Sequence, residues 1–277
     1  MECCKAMEGV VTAVTGLGKG SGKTTFLDLA LARLRPAGPV AAFSIGLDGA
    51  QKPQGGLVRV RPGDLVLSAE SLVRASDARV EVLESLPGRA GLGRLLLGRV
   101  LRGGSVTLAG CEHLSLMGEL IARVRAEGWA RTVLVDGAFN RLTQVAGLGE
   151  LGYVLTARVE PSNLGQTVAR LRAMALLDRL PGPVRGALAW EGPLTISALR
   201  TLPEGLDALS LEDFTKVFLE PRELVTLLGR MKLGLRRRLP LRALVVGLRG
   251  LERKPFLEAL GVEAAPYVLF HPCEEAA

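Results

Sequence analysis

Histidine and aromatic side chains are scarce in this chain, and each scarcity removes a class of chemistry. Two histidines occur in 277 residues, His113 and His271, so a histidine-centred nucleophile or acid–base pair is not evident. Four cysteines, Cys3, Cys4, Cys111 and Cys273, include no Cys-x-x-Cys pair and make no disulfide framework. One arrangement could gather metal ligands from both ends, Cys3-Cys4 with His271-Pro272-Cys273. Its spacing is that of no zinc knuckle, and adjacent cysteines seldom chelate together. Aromatic residues make up 4% and do not interleave with the basic ones, so stacking platforms for nucleic acid are not expected. No apolar run approaches a membrane span. The start, Met1-Glu2-Cys3-Cys4-Lys5, lacks the basic-then-apolar pattern of a secretory leader. The expectation is a soluble, cytoplasmic protein without a membrane partner.

Hydrophobic residues make up 48% of the chain, ample for a sizeable core in one large α/β domain or a domain with an appendage. The net charge is +7, from 35 basic and 28 acidic residues, and 28 of the basic ones are arginine. With abundant Leu, Ala and Gly, that arginine bias reads as compositional. The densest basic cluster, Lys232 to Arg238 ahead of Pro240, could touch nucleic acid or a partner's acidic face, and reads first as a solvated charged face.

The chemistry concentrates near the N-terminus. Val10-Val11-Thr12-Ala13-Val14-Thr15 reads as a buried strand. A glycine-rich turn follows, Gly16-Leu17-Gly18-Lys19-Gly20-Ser21-Gly22-Lys23-Thr24-Thr25, and then a helical period from Phe26 to Leu34 that Pro36 stops. Strand, glycine loop and helix, with Gly-Lys-Thr at the helix start, is the context of a phosphate-binding P-loop. Gly18, Gly20 and Gly22 have no Cβ, so the backbone can turn its N–H groups inward as an anion nest reinforced by the helix dipole. Lys23 would reach the β- and γ-phosphates, and the Thr24 hydroxyl would hold Mg²⁺. Leu17 stands where the usual first glycine falls, with Gly16 and Gly18 on either side.

Two acids complete the expected site. Pro39 to Ile45 reads as a second strand ending in the turn Gly46-Leu47-Asp48-Gly49. The C-terminal edge of a parallel sheet is where ligands sit, which places Asp48 either at the γ-phosphate and the Mg²⁺ water shell or in a plain Asp-Gly turn. Arg131 to Gly137 reads as a buried strand closed by Asp136, an acid suited to Mg²⁺ or its water. That role requires the strand of Asp136 to lie close to the strand leading to Thr24.

The fold expected is α/β, a P-loop NTPase-type mostly parallel sheet with a β-rich insertion after the second strand, about 57–110. Within the insertion, 63–69 and 79–86 read as strands, and 95–101 with 105–110 reads as a hairpin around Arg102-Gly103-Gly104. Downstream, 114–127 reads as helix and 153–157 as strand, with Ser162 capping a helix to Leu180. Late strands follow at 188–190, 242–248 and 267–270. The nucleotide-binding domain is expected over 1–190, with an α/β extension over 191–277.

Several of these pieces together resemble one family. The loop from Gly16 to Thr25, the turn Ser44-Ile45-Gly46-Leu47-Asp48-Gly49 and the stretch Asp136-Gly137-Ala138-Phe139-Asn140-Arg141 are similar to the P-loop subunit of the reactivase for adenosylcobalamin-dependent lysine 5,6-aminomutase and its ornithine-type relatives. Asp213-Phe214-Thr215-Lys216-Val217-Phe218 resembles a later segment of that family. The resemblance implies an ATP-using protein that works with a MutS-related ATPase to release damaged cobalamin from the mutase. It implies that Gly18, Lys19, Gly20, Ser21, Gly22, Lys23, Thr24 and Thr25 bind the nucleotide. It also implies that Thr24, Asp48 and Asp136 surround Mg²⁺, with Lys23, Asp48 and Asp136 as the catalytic set. The Asp-x-His-x-x-Gly motif of cobalamin binders is absent, so direct cobalamin binding is not implied.

Two other readings start from the same loop. One is a small-molecule enzyme or accessory NTPase of the dethiobiotin synthetase or molybdopterin-guanine dinucleotide type. The other is a nucleotide-sensing scaffold without turnover. Lys19 lies four residues before Lys23, one short of the signature lysine that reaches across dimers of related ATPases, and reads as a solvated loop lysine. The absence of an Asn-Lys-x-Asp guanine reader favours ATP over GTP.

Overall fold

The computed structural model describes residues 2–45, 56–87, 93–111, 114–137 and 151–271. It is a mixed α/β fold built on a large, mostly parallel sheet. A short helix α1 (Glu2–Lys5) precedes β1 (Val11–Gly16), the loop, and helix α2 (Lys23–Leu34). After β2 (Val40–Ser44) come β3 (Leu57–Val60), β4 (Leu65–Ala69), α3 (Glu70–Arg74), β5 (Arg79–Leu86), β6 (Leu95–Arg102) and β7 (Gly104–Thr107). Helix α4 (Leu114–Ala126) then leads to β8 (Thr132–Asp136) and β9 (Gly152–Val159).

In the first unit the sheet runs in the order β9-β1-β8-β2-β4-β6-β5, and in the second β13 (Leu241–Leu248) pairs parallel with β14 (Val268–Phe270). Every pairing from β9 to β4 is parallel. The strands β1, β2, β4 and β8 are buried along their whole length. That is why they read as unbroken runs of Val, Ala and Leu and not as alternating patterns. Phe26, Leu27, Ala30, Leu31 and Leu34 of α2 are buried; each large side chain removed from water contributes about 2 kcal/mol. This packing fixes where the helix begins, and with it the position of Lys23.

The insertion after β2 is rich in strands, and three of them, β4, β6 and β5, extend the main sheet. The hairpin expected across Gly103-Gly104 does not form. β6 pairs antiparallel with β4 and β5, whereas β7 pairs with β3. Gly103 and Gly104 instead let the chain pass close to other backbone. A Cβ would lie 2.9 Å from the Val60 carbonyl oxygen at Gly103 and 2.6 Å from the Ala78 nitrogen at Gly104. The glycines mark a close crossing and not a reversal.

The chain divides into two compact units, Met1–Thr156 and Ala157–Ala277, with the division inside β9 and not near residue 190. In the second unit, helix α5 (Leu164–Asp178) begins after Asn163 and not Ser162. Asn163 Oδ1 accepts from the Glu160 N–H at 2.9 Å, shaping the turn before the helix. A three-stranded parallel sheet of β10 (Leu188–Trp190), β11 (Ala208–Leu211) and β12 (Lys232–Leu235) is interleaved with helices α6 (Ile196–Leu199) and α7 (Pro221–Leu228). Helix α8 (Arg253–Leu260) lies between β13 and β14. The basic cluster is a solvated charged face, with Lys232, Arg236 and Arg238 exposed, and its arginines are paired within this unit. Lys232 to Leu235 form β12, Arg236 pairs with Glu191 at 2.8 Å, and Arg237 pairs with Glu212 at 3.0 Å and with buried Asp213. Arg238 donates to the Leu180 carbonyl at 2.9 Å. Among the described residues, no helix is long and apolar enough to cross a membrane.

Candidate functional site

The site forms where β1, β8 and β2 end side by side. Val14 lies opposite Asp136, and Asp136 opposite Ser44, so the acid closing β8 stands between the strand that feeds the glycine loop and the strand that precedes Asp48. Parallel strands put all three C-terminal ends on one edge, where open α/β sheets place their ligands. Asp48 itself falls outside the described residues, as do Ala138 to Arg141, so the geometry rests on the loop, α2 and Asp136.

Gly20 and Gly22 have φ of 75° and 88°, the left-handed region that glycine occupies without steric cost. Gly22 precedes the first residue of α2 and offers no side chain to cap it, and the first turn, Lys23-Thr24-Thr25-Phe26, contains no acid. The N–H groups at this helix start therefore face a position that favours an anion. Gly18, Lys19, Gly20 and Thr25 are exposed, while Gly22, Lys23 and Thr24 are half-buried.

Ser21 is different. Its side chain is buried and shares a 2.9 Å hydrogen bond with the hydroxyl of Thr156. The Leu17 N–H donates to the Thr156 carbonyl at 3.0 Å. A Cβ on Gly16 would overlap Ser21 Oγ and lie 2.8 Å from Thr156 Oγ1, so a glycine is needed where β1 opens into the loop.

Lys23 Nζ donates to the Gly137 carbonyl at 3.2 Å and lies 3.8 Å from Asp136 Oδ1. Asp136 is buried, and its Oδ1 has no hydrogen-bond donor among the described residues. Burial raises its carboxyl above the ordinary value, while the Lys23 ammonium and the Gly56 N–H pull the other way. Gly56 crowds the same spot: a Cβ there would lie 3.2 Å from Thr24 Oγ1 and 3.4 Å from Asp136 Oδ2. Thr24 and Asp136 thus face one narrow space roofed by bare backbone. The Asp136 carboxylate, whose Oδ1 lacks a donor and whose Oδ2 shares the Gly56 contact with the Thr24 hydroxyl, offers oxygen ligands of the kind a hard cation such as Mg²⁺ takes.

Gly56, Thr156 and the Gly137 carbonyl were not expected from the sequence. A glycine pair at Gly55-Gly56 was the one available signal, and nothing local marks Thr156. Among the described residues, no group of three His, Cys, Asp or Glu gathers as a metal cluster. Cys273 of the imagined terminal metal site, like His113, lies outside the described residues. No family model matches the chain, and no curated protein or solved structure matches it.

Proposed function

We propose that the chain is an ATP-binding, ATP-hydrolysing reactivation factor that helps exchange damaged cobalamin in an adenosylcobalamin-dependent lysine or ornithine aminomutase. It would act with a MutS-related ATPase as partner. The aminomutase part rests on the sequence resemblance. The nucleotide part is supported by one observation above the rest: the glycine loop, Lys23 and the donor-free Oδ1 of buried Asp136 meet at one sheet edge. In this reading the loop amides and Lys23 hold the phosphates. Thr24 and Asp136, with Asp48 by resemblance, hold Mg²⁺, which when bound offsets phosphate charge. Lys23, now on the Gly137 carbonyl, exchanges that acceptor for phosphate oxygens. Nucleotide then shifts the population of loop conformations that a partner reads.

Calorimetry with Mg-ATP and Mg-GTP against the intact chain and Lys23→Ala tests the first part. Heat with Mg-ATP that vanishes in Lys23→Ala is expected, together with stabilisation of about 2.7 kcal/mol at a hundredfold excess over Kd. No heat with either nucleotide rejects it. A pull-down with the aminomutase and the MutS-related ATPase tests the second. ATP-dependent association is expected, and its absence alongside a phosphorylated metabolite product favours the small-molecule enzyme instead.

A further inference from the structure

We infer that Thr156, inside β9 and far from the loop in sequence, is a positioning residue for the triphosphate, acting through Ser21. The inference rests on the nucleotide reading above and deepens it. Thr156 touches both arms of the loop. Its carbonyl takes the Leu17 N–H on the entering arm, and its hydroxyl is bonded to Ser21 on the leaving arm, directly before Gly22 and Lys23. Both partners of the hydroxyl pair are buried, with Thr156 at 0% and Ser21 at 7% exposure. Water cannot replace the bond at that depth, so losing one hydroxyl leaves the other buried without its partner.

The pair also sets the loop's shape. Gly16 lies opposite Thr156 in the β1–β9 register, and the space where its side chain would be is filled by Ser21 Oγ and Thr156 Oγ1. With the loop's two arms fastened to one residue, the peptide units at Gly20 and Gly22 are held at the positive φ that turns backbone N–H groups inward. Phosphate binding then meets a nest already shaped, and the cost of ordering the loop is not charged against affinity.

The test compares the full chain with Thr156→Val, which keeps shape and loses the hydroxyl, and Thr156→Ser, which keeps the hydroxyl. Mg-ATP and Mg-tripolyphosphate affinities are measured by calorimetry, and unfolding midpoints are recorded without ligand. Thr156→Val is expected to weaken both ligands about tenfold, equivalent to about 1.4 kcal/mol, with Thr156→Ser within about twofold of the parent. The double variant Ser21→Ala/Thr156→Val is expected to bind no worse than Ser21→Ala alone, the non-additivity of a shared contact. Equal affinity of Thr156→Val and the parent overturns the inference, and so does an additive loss in the double variant. A loss in Thr156→Ser as large as in Thr156→Val also overturns it, because the methyl and not the hydroxyl would then matter. If Thr156→Val does not fold, Thr156→Ala against Thr156→Ser makes the same comparison. Absence of binding by the parent chain is a failure of the nucleotide reading itself, and is distinguished from the outcomes above because they require a parent that binds.

Discussion

Asp136 shows at the scale of one residue how a site can cost stability. Its carboxyl is raised above the ordinary 3.8, first because burial disfavours the charged form. The folded chain therefore holds its proton to higher pH than the unfolded chain. Between the ordinary value and the raised one, stability falls as pH rises, and above that window the cost of the buried charge is present in full. Asp136→Asn keeps the shape and removes the charge. It is expected to raise the urea midpoint at pH 7, to lose that advantage below about pH 3.8, and to abolish stabilisation by Mg²⁺ with nucleotide. A lower midpoint than the parent at pH 7 would show that the Lys23 pairing outweighs burial. Cys111 is a contrasting residue: buried and pushed up to about 11, its thiol is a core hydrophobe and not a nucleophile.

Helix α2 is held at both ends, and the two ends do different work. At its start it presents Lys23 and Thr24 to the sheet edge. Just past its end, Arg35 makes a two-pronged pair with Asp64, Nε at 3.0 Å and Nη2 at 2.7 Å from Oδ2, and donates to the Arg59 carbonyl at 2.7 Å. Asp64 also accepts the Arg61 N–H at 2.8 Å and is almost fully buried. Asp28, on α2 itself, accepts from the Arg59 N–H at 2.8 Å. The strand-rich insertion is thereby fastened to the helix that carries the loop. Removing one partner of a buried pair leaves the other charge uncompensated. Asp64→Ala is expected to lower the unfolding free energy by about 3 kcal/mol in urea titration, and a loss under about 1 kcal/mol, the range of exposed pairs, would show that Arg35 finds other solvation. Four of the insertion's strands were readable from their own patterns, whereas β3 (Leu57–Val60) and the pairing partners were not. Gly103-Gly104 looked like a turn because two glycines between apolar runs usually make one, and only the neighbouring backbone at Val60 and Ala78 shows why they are there.

For the molecule as a whole, the notable strand is β9. The first compact unit ends at Thr156 and the second begins at Ala157, so the division falls within a single strand. Up to Thr156 the strand pairs with β1, and past it the Val159 carbonyl accepts the Arg249 N–H at 2.9 Å. A paired strand does not enter a protease cleft without unfolding. Limited tryptic digestion of the native chain is expected to leave the Arg158–Val159 bond intact although the Arg158 side chain is exposed. Early cleavage there would show that β9 opens locally.

The amino-acid order alone determined the features that are local. The run from Val10 through Leu34 dictates strand, glycine loop and helix, because burial of the strand, positive φ at Gly20 and Gly22, and the apolar face of the helix are all properties of consecutive residues. Asp136 was legible for the same reason, as the acid closing an apolar strand. Tertiary structure decided which side chains meet across long separations. Ser21 and Thr156 are 135 residues apart, and Gly56 reaches Thr24 and Asp136 from the residue before β3. Those meetings follow from strand order and register, which no local pattern encodes, because many orders of the same buried strands would satisfy the same hydrophobic runs.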